Sequence, residues 1–523
     1  MFLKMSHCQA PSPKYNNSFG ENKSYREFIG TIDEIIEKKE SVERNNIFVK
    51  LISDKEEILY IDDFFIVFII EQTHKILLSD YISKPLPKEI RLKLENITIE
   101  NKWSKPFLKS VEKIFPNYSE SENSFIYNEI NPGTPKEDYY HRYIDVPVSY
   151  KDPGKGTFKL YYELCSDYDE TKPTIMIPTD GQRSLSQVGW ADKYKKMFSL
   201  EDFNTVTDEY RGMYASKIPI VENKNADWGI LYEILNSDNV IEDIELIRKD
   251  LLGDKPIYIL GGSGTAMIGL KYISKYYEKV EKAFLMSFVK DAKGCSEAGV
   301  FFFNNFLNKN NLSDQFESLY HKDRIDMKQT LFLIQRLFYY DQKIVKNMII
   351  ELSEDKFDLF EKYNKQLGSL DFFVRSAQKY RPWVVVFMYE TNINTSSDSM
   401  PDINYPFYKI AEPIREYYIS NEEETPSLFS IENLDEIDTE ILLVAGRLDQ
   451  VFPLFEMKRI HSGLKNSELA IFEAYHCLET PKESKLCRNN LANLFFKTGN
   501  KSPEIKRYLK IHGDKCNFIK FEE

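Results

Sequence analysis

The chain has 523 residues, of which 42% are hydrophobic and 14% aromatic, so it is long enough for two or three domains with sizeable cores. Asp and Glu (82) outnumber Lys and Arg (69), and the net charge of −13 argues against binding to nucleic acid or to an anionic membrane. No metal site or cofactor is predicted, because the sequence has no His-x-x-x-His pair, no Cys/His cluster and no glycine-rich nucleotide motif.

The N-terminal part of the chain is predicted to be separate from the rest. Residues 1–23 are polar and are expected to be disordered. Residues 24–117 mix helical patterns with strand-like runs, which indicates a small α+β module, and 118–140 is interpreted as a linker. The apolar run Ile58–Ile70 is too short to span a bilayer and contains two aspartates, so a buried strand or hairpin is predicted.

Six cysteines show neither C-x-x-C spacing nor the density of a disulfide framework. They are interpreted as reduced thiols. The first residues lack the apolar segment of a signal peptide. The sequence therefore predicts a cytoplasmic protein.

The pattern changes near residue 141. Tyr143–Tyr150 and Gly156–Glu163 flank a Pro-Gly turn and predict a β-hairpin. Further strands alternate with helical stretches, and they are predicted at Thr174–Pro178, Thr205–Asp208, Ile257–Leu260, Ala283–Phe288, Glu440–Ala445 and Ser467–Phe472. This alternation predicts an α/β fold with a mostly parallel sheet covered by helices.

The predicted core comprises residues 141–290 and 438–523. Between these two parts lie about 150 residues with long helical patterns and little strand character. They are interpreted as a helical cap, residues 291–437, above the carboxyl ends of the strands, where ligands of such sheets bind.

One stretch contains the candidate catalytic serine. The strand at Ile257–Leu260 runs into Gly261-Gly262-Ser263-Gly264, and a helical pattern follows from Thr265. Glycines on both sides let a strand and a helix meet in the sharp turn that exposes a serine nucleophile. A plain tight turn is the alternative, and the absence of phosphate-binding glycine spacing argues against a phosphate loop.

A serine nucleophile needs a histidine base and an acid that orients it, in the chain order Ser, Asp, His in elbow hydrolases. Asp449 follows the strand at Glu440–Ala445, and His476 follows the strand at Ser467–Phe472. The predicted triad is Ser263, Asp449 and His476. The alternatives are a helix-capping or turn role for Asp449 and a surface-loop role for His476.

Two neighbouring candidates are set aside. His461 lies within a helical pattern and is interpreted as packed or exposed. Cys477 could suggest a Cys–His pair with His476, but adjacent residues at a strand end are expected to point apart, and Ser263 has the elbow. Cys477 is therefore interpreted as structural.

Two backbone N–H groups are expected to stabilise the oxyanion. The first is that of Gly264, at the N-terminus of the helix after the nucleophile. The second is predicted in the loop after the strand at Thr174–Pro178, with the N–H of Asp180 as the candidate donor.

With these motifs, residues 143–480 resemble the proline iminopeptidase and tripeptidyl aminopeptidase family of α/β-hydrolases. Asp208-Glu-Tyr-Arg-Gly212 is similar to the family's Asp-Gln-Arg-Gly stretch, and Asn236–Arg248 is similar to the helix before its elbow. Gly261-Gly-Ser263-Gly matches its nucleophile motif, and Gly446-Arg-Leu-Asp449 matches its acid motif.

The sequence also departs from the family. The family's His-Gly-Gly-Pro-Gly oxyanion loop is replaced by Pro178-Thr-Asp-Gly-Gln182, and the tryptophan after the nucleophile is Gly264. The resemblance implies cap glutamates that bind the substrate's amino group, and Glu390 in Tyr389-Glu-Thr-Asn392 is the candidate. Residues 1–140 have no counterpart in the family.

These observations predict a serine hydrolase that forms an acyl-enzyme, with the resemblance favouring short peptides or aminoacyl amides as substrates. One alternative is hydrolysis of an ester, thioester or lactone with the same machinery. Another is a catalytically silent hydrolase fold that binds a protein partner through residues 1–140.

Overall fold

The computed structural model describes residues 135–182, 189–213, 215–221, 227–338, 342–367, 369–392, 401–479 and 481–522, together with three strands between residues 57 and 78. The predicted disordered start, most of the predicted linker and the remainder of the α+β module lie outside the described residues.

The strands, in chain order, are β1 (Glu57–Ile61), β2 (Ile66–Ile70), β3 (His74–Leu78), β4 (His141–Pro147), β5 (Thr157–Leu164), β6 (Thr174–Ile177), β7 (Asn204–Asp208), β8 (Ile257–Gly262), β9 (Val280–Met286), β10 (Glu440–Gly446), β11 (Ser467–Phe472) and β12 (Phe518–Phe521).

The α-helices are α1 (Trp190–Met197), α2 (Trp228–Leu235), α3 (Ser237–Leu252), α4 (Gly264–Tyr276), α5 (Ala292–Lys309), α6 (Ser313–Leu319), α7 (Met327–Phe338), α8 (Gln342–Ser353), α9 (Asp358–Leu367), α10 (Leu370–Tyr380), α11 (Pro382–Thr391), α12 (Tyr405–Ser420), α13 (Leu454–Gly463), α14 (Lys482–Thr498) and α15 (Pro503–Cys516). Short 3-10 turns lie at Pro153–Lys155, Tyr277–Lys279, Leu434–Glu436 and His476–Leu478.

The chain divides into two compact units. The described elements of the first are strands β1–β3 and helices α6–α10. In this unit β1, β2 and β3 form an antiparallel sheet in that order, so the hairpin predicted for Ile58–Ile70 is confirmed. The helices pack through buried apolar side chains, among them Phe332 and Phe373, whose rings lie 5.3 Å apart.

The second unit is built on a nine-stranded sheet with the order β12-β11-β10-β9-β8-β6-β7-β5-β4. The six strands from β11 to β7 in this order run parallel, while β4, β5 and β12 pair antiparallel at the two edges. This arrangement confirms the α/β-hydrolase fold predicted from the sequence, including the hairpin β4–β5 at its start.

The core of this unit lies in the central strands. Ile259 in β8, Leu285 in β9 and Leu443 in β10 are fully buried, and both strand neighbours of Leu285 and of Leu443 are buried as well. Strands of this kind read as continuous apolar runs, since helices cover both faces of a parallel sheet. Regular elements in the described part of residues 292–420 are all helices, and the cap boundaries of 291–437 stay a prediction.

One expectation about the cysteines is wrong. The structure joins Cys487 of α14 to Cys516 of α15 in a disulfide, with the Cα atoms 5.6 Å apart, while Cys165, Cys295 and Cys477 are free. The two positions are 29 residues apart in sequence and meet only because α14 and α15 pack against each other, which spacing alone does not show. Among the helices described here, none has the length and apolar character needed to cross a membrane.

Candidate active site

Ser263 occupies a strained turn between β8 and α4. Its backbone angles are φ 59° and ψ −129°, a region that side chains rarely adopt, and its N–H donates to the carbonyl of Met286 in β9. A Cβ on Gly261 would lie 2.8 Å from the backbone of Ala266, so only glycine lets α4 turn back so close to β8. The local structure is the sharp strand–turn–helix that the sequence predicts for a nucleophile elbow.

Asp449 lies in the loop after β10 and is 2% exposed. Its Oδ1 accepts hydrogen bonds from the N–H groups of Val451 and Phe452, at 2.8 and 3.1 Å. These two contacts, both from the loop of Asp449 itself, hold the carboxylate in place.

His476 begins a 3-10 turn in the loop after β11, and its Nδ1 lies 3.0 Å from both carboxylate oxygens of Asp449. The two loops meet because Gly446 ends β10. A Cβ there would lie 2.3 Å from the carbonyl oxygen of Ala474, and the carbonyl of Ala474 accepts the N–H of Leu448 at 3.0 Å. Glycine at this position thus allows the acid loop and the histidine loop to pack in direct contact.

The electrostatics of His476 follow from this pairing. Burial works to lower the pKa of His476, but the carboxylate of Asp449 and the side chain of Cys477 together outweigh it, and the pKa lies well above its usual value. The carboxylate can therefore hold the ring with its proton on Nδ1 and stabilise the imidazolium that forms when Nε2 accepts a proton.

Ser263 is not yet paired with His476 in this arrangement. Its Oγ is buried and has no hydrogen-bond partner among the residues that the structure describes. Nε2 of His476 instead lies 3.6 Å from Sγ of Cys477. The expectation that His476 and Cys477 point apart is wrong, because Cys477 has a positive φ of 50° that turns its side chain back toward the imidazole.

The loop after β6 carries the second expected oxyanion donor. In this loop Thr179 donates its N–H to Oδ1 of Asp208 at 2.8 Å, and burial raises the pKa of Asp208 to about 7. Within the loop, Oδ1 of Asp180 accepts the N–H of Gln182 at 2.9 Å. The Asp208 motif at the end of β7 therefore supports the start of this loop.

The same motif is tied to α3 by a buried ion pair. The guanidinium of Arg211, fully buried, makes two hydrogen bonds to the carboxylate of Asp243 at 2.7 and 2.8 Å and donates to the carbonyls of Val148 and Ile234. A buried ion pair holds neighbouring segments in place when each N–H of its guanidinium has an acceptor. It anchors the end of β7 against the helix that precedes the elbow.

Gly264 packs against the side chains of the 179–182 loop. A Cβ on Gly264 would lie 2.5 Å from Nε2 of Gln182 and 2.6 Å from Oδ2 of Asp180. The side chains of the loop thus fill the space that a larger residue after the nucleophile would take. The two departures from the aminopeptidase pattern, at 178–182 and at Gly264, therefore depend on each other.

Glu390, the expected amine anchor, lies in α11 and is 2% exposed. Both of its carboxylate oxygens lie 3.1 Å from the N–H of Ser237, and Oε1 also accepts the Ser237 hydroxyl at 3.0 Å. Burial raises the pKa of Glu390 to about 7. In this structure Glu390 caps the N-terminus of α3, and its role as an amine anchor stays a prediction.

Two residues near the site were not anticipated. The Oγ of Ser287 accepts the N–H of Cys477 at 3.0 Å, and Nη1 of Arg488 donates to the carbonyl of Cys477 at 2.6 Å. Both hold the turn that carries His476. The sequence carries one signal for Arg488, since it falls at helical spacing with the apolar residues Leu491 and Phe495. In the structure Arg488 is 1% exposed.

Comparison of the sequence with known protein families decides the classification. The alpha/beta hydrolase fold family matches residues 186–478, which is more than half of the chain. The chain belongs to the α/β-hydrolase family. A sequence search among curated proteins finds no match.

The solved structures that match this α/β-hydrolase resemble it in fold only. A serine hydrolase from the polyaromatic-hydrocarbon-degrading bacterium Cycloclasticus zankles is 15% identical, covers 69% of this chain and 100% of its own, and has a TM-score of 0.35. An α/β-hydrolase enzyme from a Medee basin deep-sea metagenome is 16% identical over 66% and 96% of the chains, with a TM-score of 0.36. A thermophilic esterase from Thermogutta terrifontis is 12% identical over 68% and 98%, with a TM-score of 0.34.

The carboxyl ends of β8, β10 and β11 place the predicted residues of this α/β-hydrolase at one edge of the sheet, where such sheets bind ligands. Asp449 and His476 are in contact, Ser263 is at the elbow, and Gly264 lies against the loop that holds Asp180. Glu390 contacts the N-terminus of α3. The chemistry that this arrangement allows is nucleophilic attack on a carbonyl carbon.

Proposed function

We propose that this α/β-hydrolase is a serine hydrolase that works through an acyl-enzyme on Ser263. The single observation that carries the proposal is the contact of Nδ1 of His476 with Asp449 at 3.0 Å, on the same sheet edge as a serine in a strained elbow. A histidine oriented by a carboxylate is the base that such a serine needs.

In the proposed reaction the imidazole of His476 turns from Cys477 to Ser263 and accepts the hydroxyl proton at Nε2. The serine oxygen bonds to the substrate carbonyl carbon, and the oxyanion is stabilised by the N–H of Gly264 and by a donor of the 179–182 loop. The proton on His476 then passes to the leaving group. Water repeats these steps to release the acid and restore Ser263.

The favoured substrates are aminoacyl amides and short peptides with a free amino group. The resemblance to aminopeptidases, which bind the free amino group of their substrate, supports this class.

A matched set of substrates tests the proposal. Alanyl-coumarin amide, its N-acetylated form and an acyl nitrophenyl ester are compared by kcat/KM in the wild type and in Ser263→Ala. We expect the wild type to prefer the free-amine amide over the acetylated one by about tenfold or more, the scale of a lost charge pair, and Ser263→Ala to turn over none of the substrates.

Turnover of the esters alone would contradict the peptidase assignment and leave an esterase. Failure of every substrate, in both the amide and the ester series, would contradict the hydrolase proposal itself. A catalytically silent fold that binds a partner would then be the better account.

A further inference from the structure

The side chain of Cys477 lies between the imidazole of His476 and the elbow. Its Sγ is 3.6 Å from Nε2 of His476 on one side. On the other side, Sγ is 3.2 Å from where a Cβ of Gly262 would be, and Gly262 directly precedes Ser263. The thiol is thus placed against the nitrogen that acts as the base in the proposed reaction.

This orientation is held by the surrounding structure. Cys477 and the next residue, Leu478, both have positive φ angles, 50° and 54°, which cost free energy for residues other than glycine. The N–H of Cys477 is fixed by Ser287 and its carbonyl by Arg488, and both of these side chains are buried. Backbone strain persists where surrounding contacts over-determine it, and it is concentrated at functional sites.

The imidazole is available to this thiol. Oγ of Ser263, 1% exposed, has no hydrogen-bond partner among the described residues, and Asp449 holds the opposite nitrogen of the His476 ring. A thiol next to a histidine that is oriented by a carboxylate can lose its proton to that histidine and become a thiolate, the reactive form of cysteine.

We propose that Cys477 is a second nucleophile of the site, a modification site for soft electrophiles that uses His476 as its base. With iodoacetamide, the thiol proton passes to Nε2 of His476, a bond forms between Sγ and the reagent's methylene carbon, and the carbon–iodine bond breaks to release iodide. The added group then lies beside the imidazole and keeps it from Ser263. Modification of Cys477 therefore switches off the hydrolase.

The first test measures alkylation alone and does not depend on the hydrolase proposal. The full-length protein is treated with iodoacetamide at pH 7 for increasing times, and modified peptides are quantified by mass spectrometry. A thiol without a base is only about 3% thiolate at this pH. We expect Cys477 to react more than tenfold faster than the free cysteines Cys165 and Cys295, and His476→Gln to remove most of that advantage.

Equal rates for the three thiols, or an unchanged rate for Cys477 in His476→Gln, would overturn the inference. Asp449→Asn provides a second variant in which the ring remains, and we expect it to lower the rate of Cys477 as well. The rates of Cys165 and Cys295 in each variant report whether the fold is kept, because partial unfolding would raise them.

The second test asks whether the modification blocks Ser263. Labelling by a fluorophosphonate probe is followed in iodoacetamide-treated wild type and Cys477→Ser. We expect labelling of the wild type to fall in proportion to alkylation of Cys477, and the labelling of Cys477→Ser not to respond to iodoacetamide. If the wild type alkylates at Cys477 but never labels at Ser263, the hydrolase proposal fails while the modification site stands. If the labelling of both proteins responds alike, the switch is refuted.

Discussion

Replacement of Gly264 by alanine tests the link between the residue after the nucleophile and the loop after β6. The new Cβ would meet Nε2 of Gln182 at 2.5 Å and Oδ2 of Asp180 at 2.6 Å, where ordinary contact begins at 3.4 Å. One or both side chains must therefore move by about 0.9 Å. Both atoms are ends of flexible side chains, so the overlap should cost only about 1 kcal/mol of folding free energy. Alanine in the first turn of α4 lowers the conformational entropy of the unfolded chain and so stabilises the fold by a similar amount.

The effect on the reaction should be much larger than the effect on stability. A displacement near 1 Å of groups around the reacting centre reduces rates by about 10²-fold. We expect Gly264→Ala to lower the rate of fluorophosphonate labelling of Ser263 by about that factor, while its urea midpoint stays close to that of the wild type.

Gly463→Ala is the matched control. Its Cβ would lie 2.9 Å from Cδ1 of Leu434, a similar overlap with a side-chain end, but Gly463 ends α13 at the edge of the sheet away from the loops that follow β8, β10 and β11. This variant should label at the wild-type rate. Labelling of Gly264→Ala within twofold of the wild type would refute the idea that the loop lies in the path of the reaction.

Three further predictions concern groups that orient or support the site. Asp449→Asn retains an acceptor for its own loop but not the charge, so kcat should fall by about 10³- to 10⁴-fold with little change in melting temperature; a fall below tenfold would contradict the role of the acid. Arg211→Met leaves the buried carboxylate of Asp243 without its cation and should lower the free energy of unfolding by about 3 kcal/mol or more in urea titrations, so a loss below 1 kcal/mol would count against the pair as an anchor. Burial raises the pKa of Glu390 from 4.5 to about 7, so its contribution to stability is complete below pH 4.5 and is lost as the pH rises through 7, by about 3 kcal/mol. The unfolding free energy of the wild type should therefore fall by up to that amount more than that of Glu390→Gln between pH 4.5 and pH 8, and parallel curves would show that Glu390 does not titrate in this way.

Much of the sheet could be predicted from the sequence, because its strands are buried on both faces and appear as short apolar runs between helical patterns. The predicted strand at Ser467–Phe472 has the bounds of β11, and the one at Glu440–Ala445 ends one residue before β10 does. The fold and the positions of the elbow, acid and histidine loops follow from this regularity. Chain order then predicts that Asp449 and His476 meet, as they do.

The remaining features depend on side-chain packing between distant segments. Cys477 turns toward His476 because its φ is positive, which no local pattern indicates. Glu390 is expected from the resemblance to bind the substrate's amino group, yet α11 places its carboxylate at the N-terminus of α3, more than 150 residues earlier in the chain. Asp180 and Gly264 are related only through contact, so their joint departure from the aminopeptidase pattern looked like two separate changes in the sequence.

Intact-mass analysis after treatment with a fluorophosphonate probe tests the central claim most directly, because it asks whether Ser263 is activated without requiring a known substrate. The wild type is compared with Ser263→Ala and His476→Ala, all shown to be folded. The account predicts a single adduct on the wild type that is absent in Ser263→Ala and nearly absent in His476→Ala. A folded wild type that forms no adduct, or an adduct that persists in Ser263→Ala, would contradict it.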